Sequence, residues 1–591
     1  MASLAGGPSV IRFGPFELDA ANGELRKAGV SLKIHPQPLQ LLLLLVERPG
    51  QTVTREEIQR CLWGDNTFID FERGINFCVN QIRVALGDDA EKPRYVATLP
   101  RRGYRFVSPV SMVAAPRVEQ SVPERLDSVA VLPLVNAAAD PETEYLGDGI
   151  SESIINLLSQ LPNLRVIPRT SAFRYKGREA DLKAVGRDLK VRTVLTGKMI
   201  QHGDRLVVQT ELVDVVKDAQ LWGGQFNRKL EDIFDVQEEL ARQISENLRL
   251  RLTPEDEKRL AKRPTRNRDA YQFLLKAQYH VNKPARESAH RALVYARQAI
   301  EADPGYAEAY ACMSFAYFTL GMFNFVPPGE AFPRAKAAAL KALEIDDSLA
   351  EAHAVLGCVL TFYEWDWSGA EHMCKRAIEL NPNYAWGHAY WSDWLWVMGR
   401  LEEAIAEERI AVELDPLSPA LIARLGAKLS AGGDYDGALE QLQKALELDP
   451  NLVFTNQALA LTYARKGMYD EGLATCQKVV NLCGRDPFGR ALSCLFQAMA
   501  GKTDEAHKIL RELQGHRKLD SWSLIFLAQA CSIMDMKTET FELLEVAYQE
   551  RATWLVPLAA YPSFRNIRTD PRYADLLRRM GLPQGPLPKP L

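Results

Sequence analysis

Residues 73–107 carry the side chains with the clearest chemistry. Wound at about 100° per residue, residues 73–86 separate into two faces. Ile75, Cys78, Val79, Ile82 and Leu86 fall on one side, and Arg73, Asn76, Asn80 and Arg83 on the other, with Gln81 beside them. Asn and Gln pair with base edges and Arg with guanine or phosphate, so the polar stripe has the groups needed to read a duplex. Phe77 and Val84 also point to the polar side, where they would touch thymine methyls or pack on a neighbouring loop. Two short strand patterns follow, at 94–99 and 104–107, joined by Pro100-Arg101-Arg102-Gly103. Lys92 to Arg105 holds five basic residues and no acidic one. Arg101 and Arg102 at the tip suit a narrow minor groove, and Thr98 and Arg105 suit phosphates. Tyr104 reads as a packing residue. Asp70 and Glu72 read as caps of the helix N-terminus.

A small scaffold must hold these groups. Residues 11–18, 24–27 and 30–34 alternate like short strands, with turns at Asn22-Gly23 and Ala28-Gly29. A helix is predicted over 38–47. Thr54-Arg55-Glu56-Glu57 forms a capping box that opens a second helix reaching Trp63. The order is therefore strands, three helices and a basic hairpin.

That order, with Ile75–Asp88 as third helix and Thr98–Phe106 as hairpin, resembles the OmpR/PhoB-type winged helix-turn-helix across residues 10–108. The resemblance implies binding of double-stranded DNA by Arg73, Asn76, Asn80, Gln81, Arg83, Thr98, Arg101, Arg102 and Arg105. Members of that family often have Arg where Asn80 and Gln81 stand, so this chain's target differs from theirs. A phosphorylatable receiver would need over a hundred residues, and only about ten precede the first strand pattern.

With 591 residues, three or four domains are expected. Residues 109–126, containing Pro and Ser, read as a linker. Residues 127–252 read as an α/β unit: strands at 128–134, 164–168, 191–201, 205–214 and 220–227, with helices at 146–161, 181–189 and 232–252. His202-Gly203-Asp204 forms a hairpin turn, and Phe234, Leu240, Ile244 and Leu248 face inward. The pattern Ala130-Val131-Leu132-Pro133-Leu134 followed by Leu146-Gly147-Asp148-Gly149-Ile150 resembles the domain at the amino terminus of TolB-like proteins, which implies binding or interaction.

Residues 266–580 repeat. Asn381-Pro382, Asp415-Pro416 and Asp449-Pro450 are spaced by 34 residues, and Ala404, Ala438 and Gly472 coincide in that frame, as do Trp391, Leu425 and Leu459. Small residues mark close helix contacts, and Pro ends each pair. Period and pattern resemble tetratricopeptide (TPR) repeats, implying about eight helical pairs and a protein or peptide partner. Six of the ten Trp lie between 365 and 396. Trp391 and Trp394 occupy packing positions, whereas Trp365, Trp367 and Trp396 near a turn or outer face would form an exposed aromatic patch for a ligand.

Net charge is −4, and residues 1–110 hold 14 Lys/Arg against 12 Asp/Glu, so nucleic-acid recognition rests on local placement. Nine scattered Cys without a CxxC pair read as reduced thiols. No apolar run suggests a membrane span and no signal peptide is evident, so a cytoplasmic location is expected. No phosphate loop, HExxH or GxSxG occurs, Gly197-Lys198 stands alone, and Glu371-His372-Met373-Cys374 reads as helix surface with a buried thiol. The expectation is a multidomain α+β regulator without cofactor or metal, not an enzyme, active as a homodimer on half-sites ~10–11 bp apart. The alternative is a TPR scaffold whose winged helix binds protein or RNA.

Overall fold

The computed structural model describes residues 9–583, except 20–23, 28–29, 33, 35, 64–70, 101, 115–125, 139–142, 162–163, 179–180, 230–231, 249, 251–252, 261–264, 282–285, 484–486 and 515–518. The chain divides into two units, residues 1–125 and 126–591.

In the first unit, β1 (Ser9–Phe13), β2 (Phe16–Asp19), β3 (Glu24–Lys27) and β4 (Val30–Leu32) precede α1 (Pro36–Val46), β5 (Thr52–Val53), α2 (Arg55–Trp63) and α3 (Phe71–Leu86). The hairpin β6 (Val96–Leu99) and β7 (Gly103–Phe106) follows, then β8 (Ser111–Ala114). One sheet has the order β4-β3-β2-β1-β8, the other β5-β7-β6. Residues 109–126 were expected to be linker throughout, yet β8 pairs antiparallel with β1, Val113 opposite Val10. The strand carries the unit eight residues past the hairpin's end, to Ala114, in a way that local composition does not reveal. The predicted turns at Asn22-Gly23 and Ala28-Gly29 lie outside the described residues.

The core between sheet and helices is built from Phe13, Phe16, Leu18, Leu42, Leu45, Ile75, Val79, Ile82 and Phe106. The capping box forms as the sequence suggests: Thr54 N–H donates to Glu57 Oε2 at 2.8 Å and Glu57 N–H to Thr54 Oγ1 at 3.2 Å. The Thr54 amide, with Arg48 beside it, holds the Glu57 carboxyl below its ordinary range.

The second unit begins with β9 (Ser128–Val131), β10 (Val135–Asn136), α4 (Glu144–Ser159), β11 (Arg165–Val166), α5 (Arg169–Ala172) and α6 (Leu182–Leu189). The long strands β12 (Thr193–His202), β13 (Arg205–Asp214) and β14 (Ala219–Lys229) precede α7 (Ile233–Asn247) and α8 (Pro254–Leu260). The sheet runs β11-β9-β12-β13-β14, parallel at β11-β9-β12 and antiparallel beyond, with β10 on β12. Leu240, Ile244 and Leu248 are buried, and Phe234 packs partly buried against the same core.

Eight helix pairs follow among the described residues, from Arg268–Val281 with Arg286–Ala302 to Ser521–Ile533 with Lys537–Gln549. The small residues Ala404, Ala411, Ala438, Ala445 and Gly472 are buried where paired helices meet. The ends of successive repeats also touch the α/β layer. Asn383 Nδ2 donates to Leu164 O at 3.0 Å, Arg165 Nη2 to Glu413 O at 2.8 Å, and Arg174 Nη2 to Leu448 O at 2.7 Å. Asp415, fully buried, accepts a short hydrogen bond from Ser171 Oγ, which in turn accepts from Leu417 N–H at 2.8 Å. The 34-residue corners thus present three consecutive repeat ends to residues 159–174.

The tryptophans expected at a turn or outer face are covered instead. Trp365 is buried beneath Arg551, whose guanidinium sits 3.9 Å from the ring centre. Trp367 is partly buried and donates to Met580 O at 2.9 Å. Trp396 is also only partly exposed. The chain after residue 550 returns over Trp365 and Trp367, so the three rings form no outer aromatic patch. Trp391 and Trp394 stack at 4.8 Å inside the array, as their repeat positions imply.

Candidate nucleic-acid interface

Helix α3 divides as its sequence dictates. Ile75, Cys78, Val79, Ile82 and Leu86 are buried. Asn76, Phe77, Asn80 and Val84 are exposed, Phe77 at 57% and Val84 at 75%, while Gln81 and Arg83 are half-buried. Two exposed apolar side chains among amides are not explained by packing within the unit. They suit contact with methyl groups or a hydrophobic base edge. Arg73 lies in the first turn of α3, and its side chain is outside the described residues, as are Arg101 and Asp70.

The hairpin is fastened to α3 by polar contacts that single-residue inspection does not reveal. Arg83 Nη2 donates to Val96 O at 3.0 Å and to Thr98 Oγ1 at 2.8 Å. At the end of α3, Gly87 takes a φ of +61°, which the missing Cβ permits. Asp88 then turns back, and its carboxylate accepts from the amides of Arg94 at 2.6 Å, Tyr95 at 3.1 Å and Val96 at 2.7 Å. Asp89 caps the next turn through the amides of Glu91 and Lys92, which hold its carboxyl below the usual range.

Strand β7 closes the site from beneath. Tyr104 is buried and donates from its hydroxyl to Asn76 Oδ1 at 2.8 Å. Burial pushes its phenol up, with Arg55 above the ring at 5.5 Å partly opposing this. Arg55 also pairs with Glu72, so Glu72 joins α2 to α3 instead of serving the helix end alone. Arg105 Nη2 donates to Thr52 Oγ1 at 2.9 Å, tying β7 to β5. Gly103 has φ +139°, and a Cβ there would stand 2.0 Å from Val53 O. Arg102 is exposed at the hairpin turn, and Thr98 is exposed on β6. Asn76, Asn80, Gln81, Thr98 and Arg102 are therefore displayed by one rigid helix–hairpin assembly, with Arg83 and Arg105 serving both surface and scaffold.

Residues 29–106 match the family model described as "Transcriptional regulatory protein, C terminal". The chain carries an OmpR/PhoB-type regulatory domain. Residues 125–243 match the HilA/YgeH-like transcriptional regulator second domain, and 426–467 match a TPR repeat. The central layer is thus similar to the second domain of regulators of that type. The transcriptional regulator HilA of Salmonella typhimurium is 25% identical over 400 residues, 67% of this chain and 69% of that protein. The regulatory protein AfsQ1 of Streptomyces coelicolor is 31% identical over 97 residues, 16% of this chain and 43% of that one. A Rhizobium meliloti (strain 1021) protein carrying an adenylate cyclase name is 35% identical over 237 residues, and the match spans only 40% of each chain.

No helix among the described residues is long and apolar enough to cross a membrane. The nine cysteines are free thiols; Cys61 is exposed and Cys483 partly exposed, and the other seven are buried.

Proposed function

We propose that this chain is a one-component transcriptional regulator that binds double-stranded DNA sequence-specifically, acts in the cytoplasm and catalyses no reaction of its own. The observation that carries the reading is the outer face of α3, where Asn76, Phe77, Asn80 and Val84 stand exposed opposite a fully buried stripe. In this reading α3 enters the major groove. Asn80 and Gln81 read base edges, and Phe77 and Val84 meet apolar edges. Arg73 and Asn76 flank them. Arg101 and Arg102 approach the minor groove from the hairpin tip. Thr98 and Arg105 face phosphates. Arg83, with two hydrogen bonds into β6, sets the angle between helix and hairpin as well as contributing charge.

The α/β layer and the repeats, bound through the repeat corners, act as one sensory body for a small molecule or protein partner. A single winged-helix module buries a modest surface, so two copies on adjacent half-sites account best for tight binding. The adenylate cyclase name belongs to a protein matched over two fifths of its length, and its activity is not carried over.

The test compares Asn80→Ala and Arg102→Ala on a selected duplex. Asn80→Ala relaxes specificity at one base position, costing about 1–3 kcal/mol there. Arg102→Ala weakens all sequences together and lowers the salt slope by about 1. Undiminished binding by both variants contradicts this interface.

A further inference from the structure

The helix Val453–Arg465 sets Phe454, Gln457, Ala458, Leu461 and Arg465 along one face, at spacings of three and four residues. That face lines a cavity of about 100 Å³ on the inner side of the repeats. The opposite walls are Trp522 and Phe526 of Ser521–Ile533, and Trp554 and Tyr561 of the returning chain. Lys428, Arg424 and Asp393 complete it.

The charges around this cavity do not balance. Arg424 pairs with Asp393 at 2.8 Å and Glu408 at 3.0 Å, and Lys428 pairs with the same two carboxylates at 3.1 and 2.7 Å. Two cations are thereby matched by two anions. Arg465 is the third cation. Its hydrogen bond is to the Ser430 hydroxyl, at 3.2 Å, and it has no carboxylate partner among the described residues. Desolvation pulls its guanidinium down from the ordinary arginine range. A half-buried, unmatched cation is costly unless an anion completes it.

A second, independent group points the same way. Gln457 is 6% exposed, lines the cavity, and has no hydrogen-bond partner among the described residues. The Trp554 indole N–H is buried without an acceptor. The cavity therefore offers a guanidinium without a carboxylate and a carboxamide without a partner, between aromatic walls.

We propose that this cavity is a binding site for a small monocarboxylate with an apolar body, its carboxylate on Arg465 and Gln457 and its body between Trp522, Phe526 and Trp554. An apolar cavity of ~150 Å³ accepts benzene, so this smaller one suits a short branched aliphatic acid of isobutyrate size. The carboxylate is either that of a free acid or the C-terminus of a peptide whose last side chain enters. The link from occupancy to DNA binding rests on the sensory reading above; the site itself does not.

The test is calorimetric titration of the full chain, with tryptophan fluorescence as a second signal. The probes are sodium isobutyrate, sodium pivalate and N-acetyl-Gly-Val, each against its neutral amide. The expected result is saturable binding of at least one acid, no binding of its amide, and at least tenfold weaker binding by Arg465→Met. Gln457→Leu, which leaves the charge in place, is expected to weaken binding several-fold and covers the case in which Arg465→Met fails to fold. Binding of the free acids identifies a small-molecule site, and binding of N-acetyl-Gly-Val alone identifies a peptide terminus. Failure of all three acids, or equal binding by folded Arg465→Met, overturns the proposal. Binding of an acid without any change in affinity for a selected duplex refutes the sensory reading and leaves the site standing.

Discussion

Asp415 gives the most quantitative prediction. It ends the Leu401–Leu414 helix, is fully buried against the α/β layer and accepts from Ser171. Burial pushes its carboxyl up to about 6, with the Ser171 and Thr170 hydrogen bonds opposing that rise. An unfolded Asp titrates near 3.9, and the difference corresponds to about 3 kcal/mol. Between about pH 4 and 6 the folded chain holds a proton that the unfolded chain has released. Stability therefore falls as pH rises through this window and levels off above it. Asp415→Asn keeps an acceptor for Ser171 and removes the charge. The variant and the parent should be equally stable near pH 3, below the unfolded carboxyl's range, and the variant should gain up to about 3 kcal/mol by pH 7.5. The assay is urea unfolding of the full chain followed by tryptophan fluorescence, which reports on residues 126–591 because only Trp63 lies outside them. Parallel pH profiles for parent and variant would refute the reasoning, since the buried carboxyl would then carry no linkage.

Asp88→Ala removes the acceptor of three hairpin amides and should destabilise the first unit by about 1–3 kcal/mol, read as a lower midpoint in thermal unfolding followed by circular dichroism. Gly103→Ala places a Cβ against the Val53 carbonyl in a left-handed backbone region and should cost at least about 2 kcal/mol; an unchanged midpoint would mean β5 and β7 are not so close. Glu408→Gln strips a buried acceptor from Arg424 and Lys428 and should destabilise the second unit by about 3–5 kcal/mol, again followed by tryptophan fluorescence in urea.

Much of the fold was legible because periodicity carries it. The division of α3 follows from where Ile75, Val79, Ile82 and Leu86 fall, and the capping box from Thr54 and Glu57 three residues apart. The repeats follow from a spacing of 34. What was hidden depends on partners distant in sequence. Ser111–Ala114 becomes a strand only because β1 lies about a hundred residues earlier with a free edge. Arg83 reads as a surface base until the hairpin carbonyl it serves is known. The corners at Asn383, Asp415 and Leu448 look like ordinary helix ends, and their contacts with residues 159–174 lie more than two hundred positions away. Trp365 seemed exposed because its cover, Arg551, comes from the returning chain.

The most direct test of the central claim is selection of duplexes from a random double-stranded DNA library by the full chain, at low and at physiological salt. The account predicts enrichment of a defined motif, with affinity falling steeply as salt rises. Weak binding without enrichment at either salt would contradict it and would favour the scaffold reading, in which the winged helix meets protein or RNA.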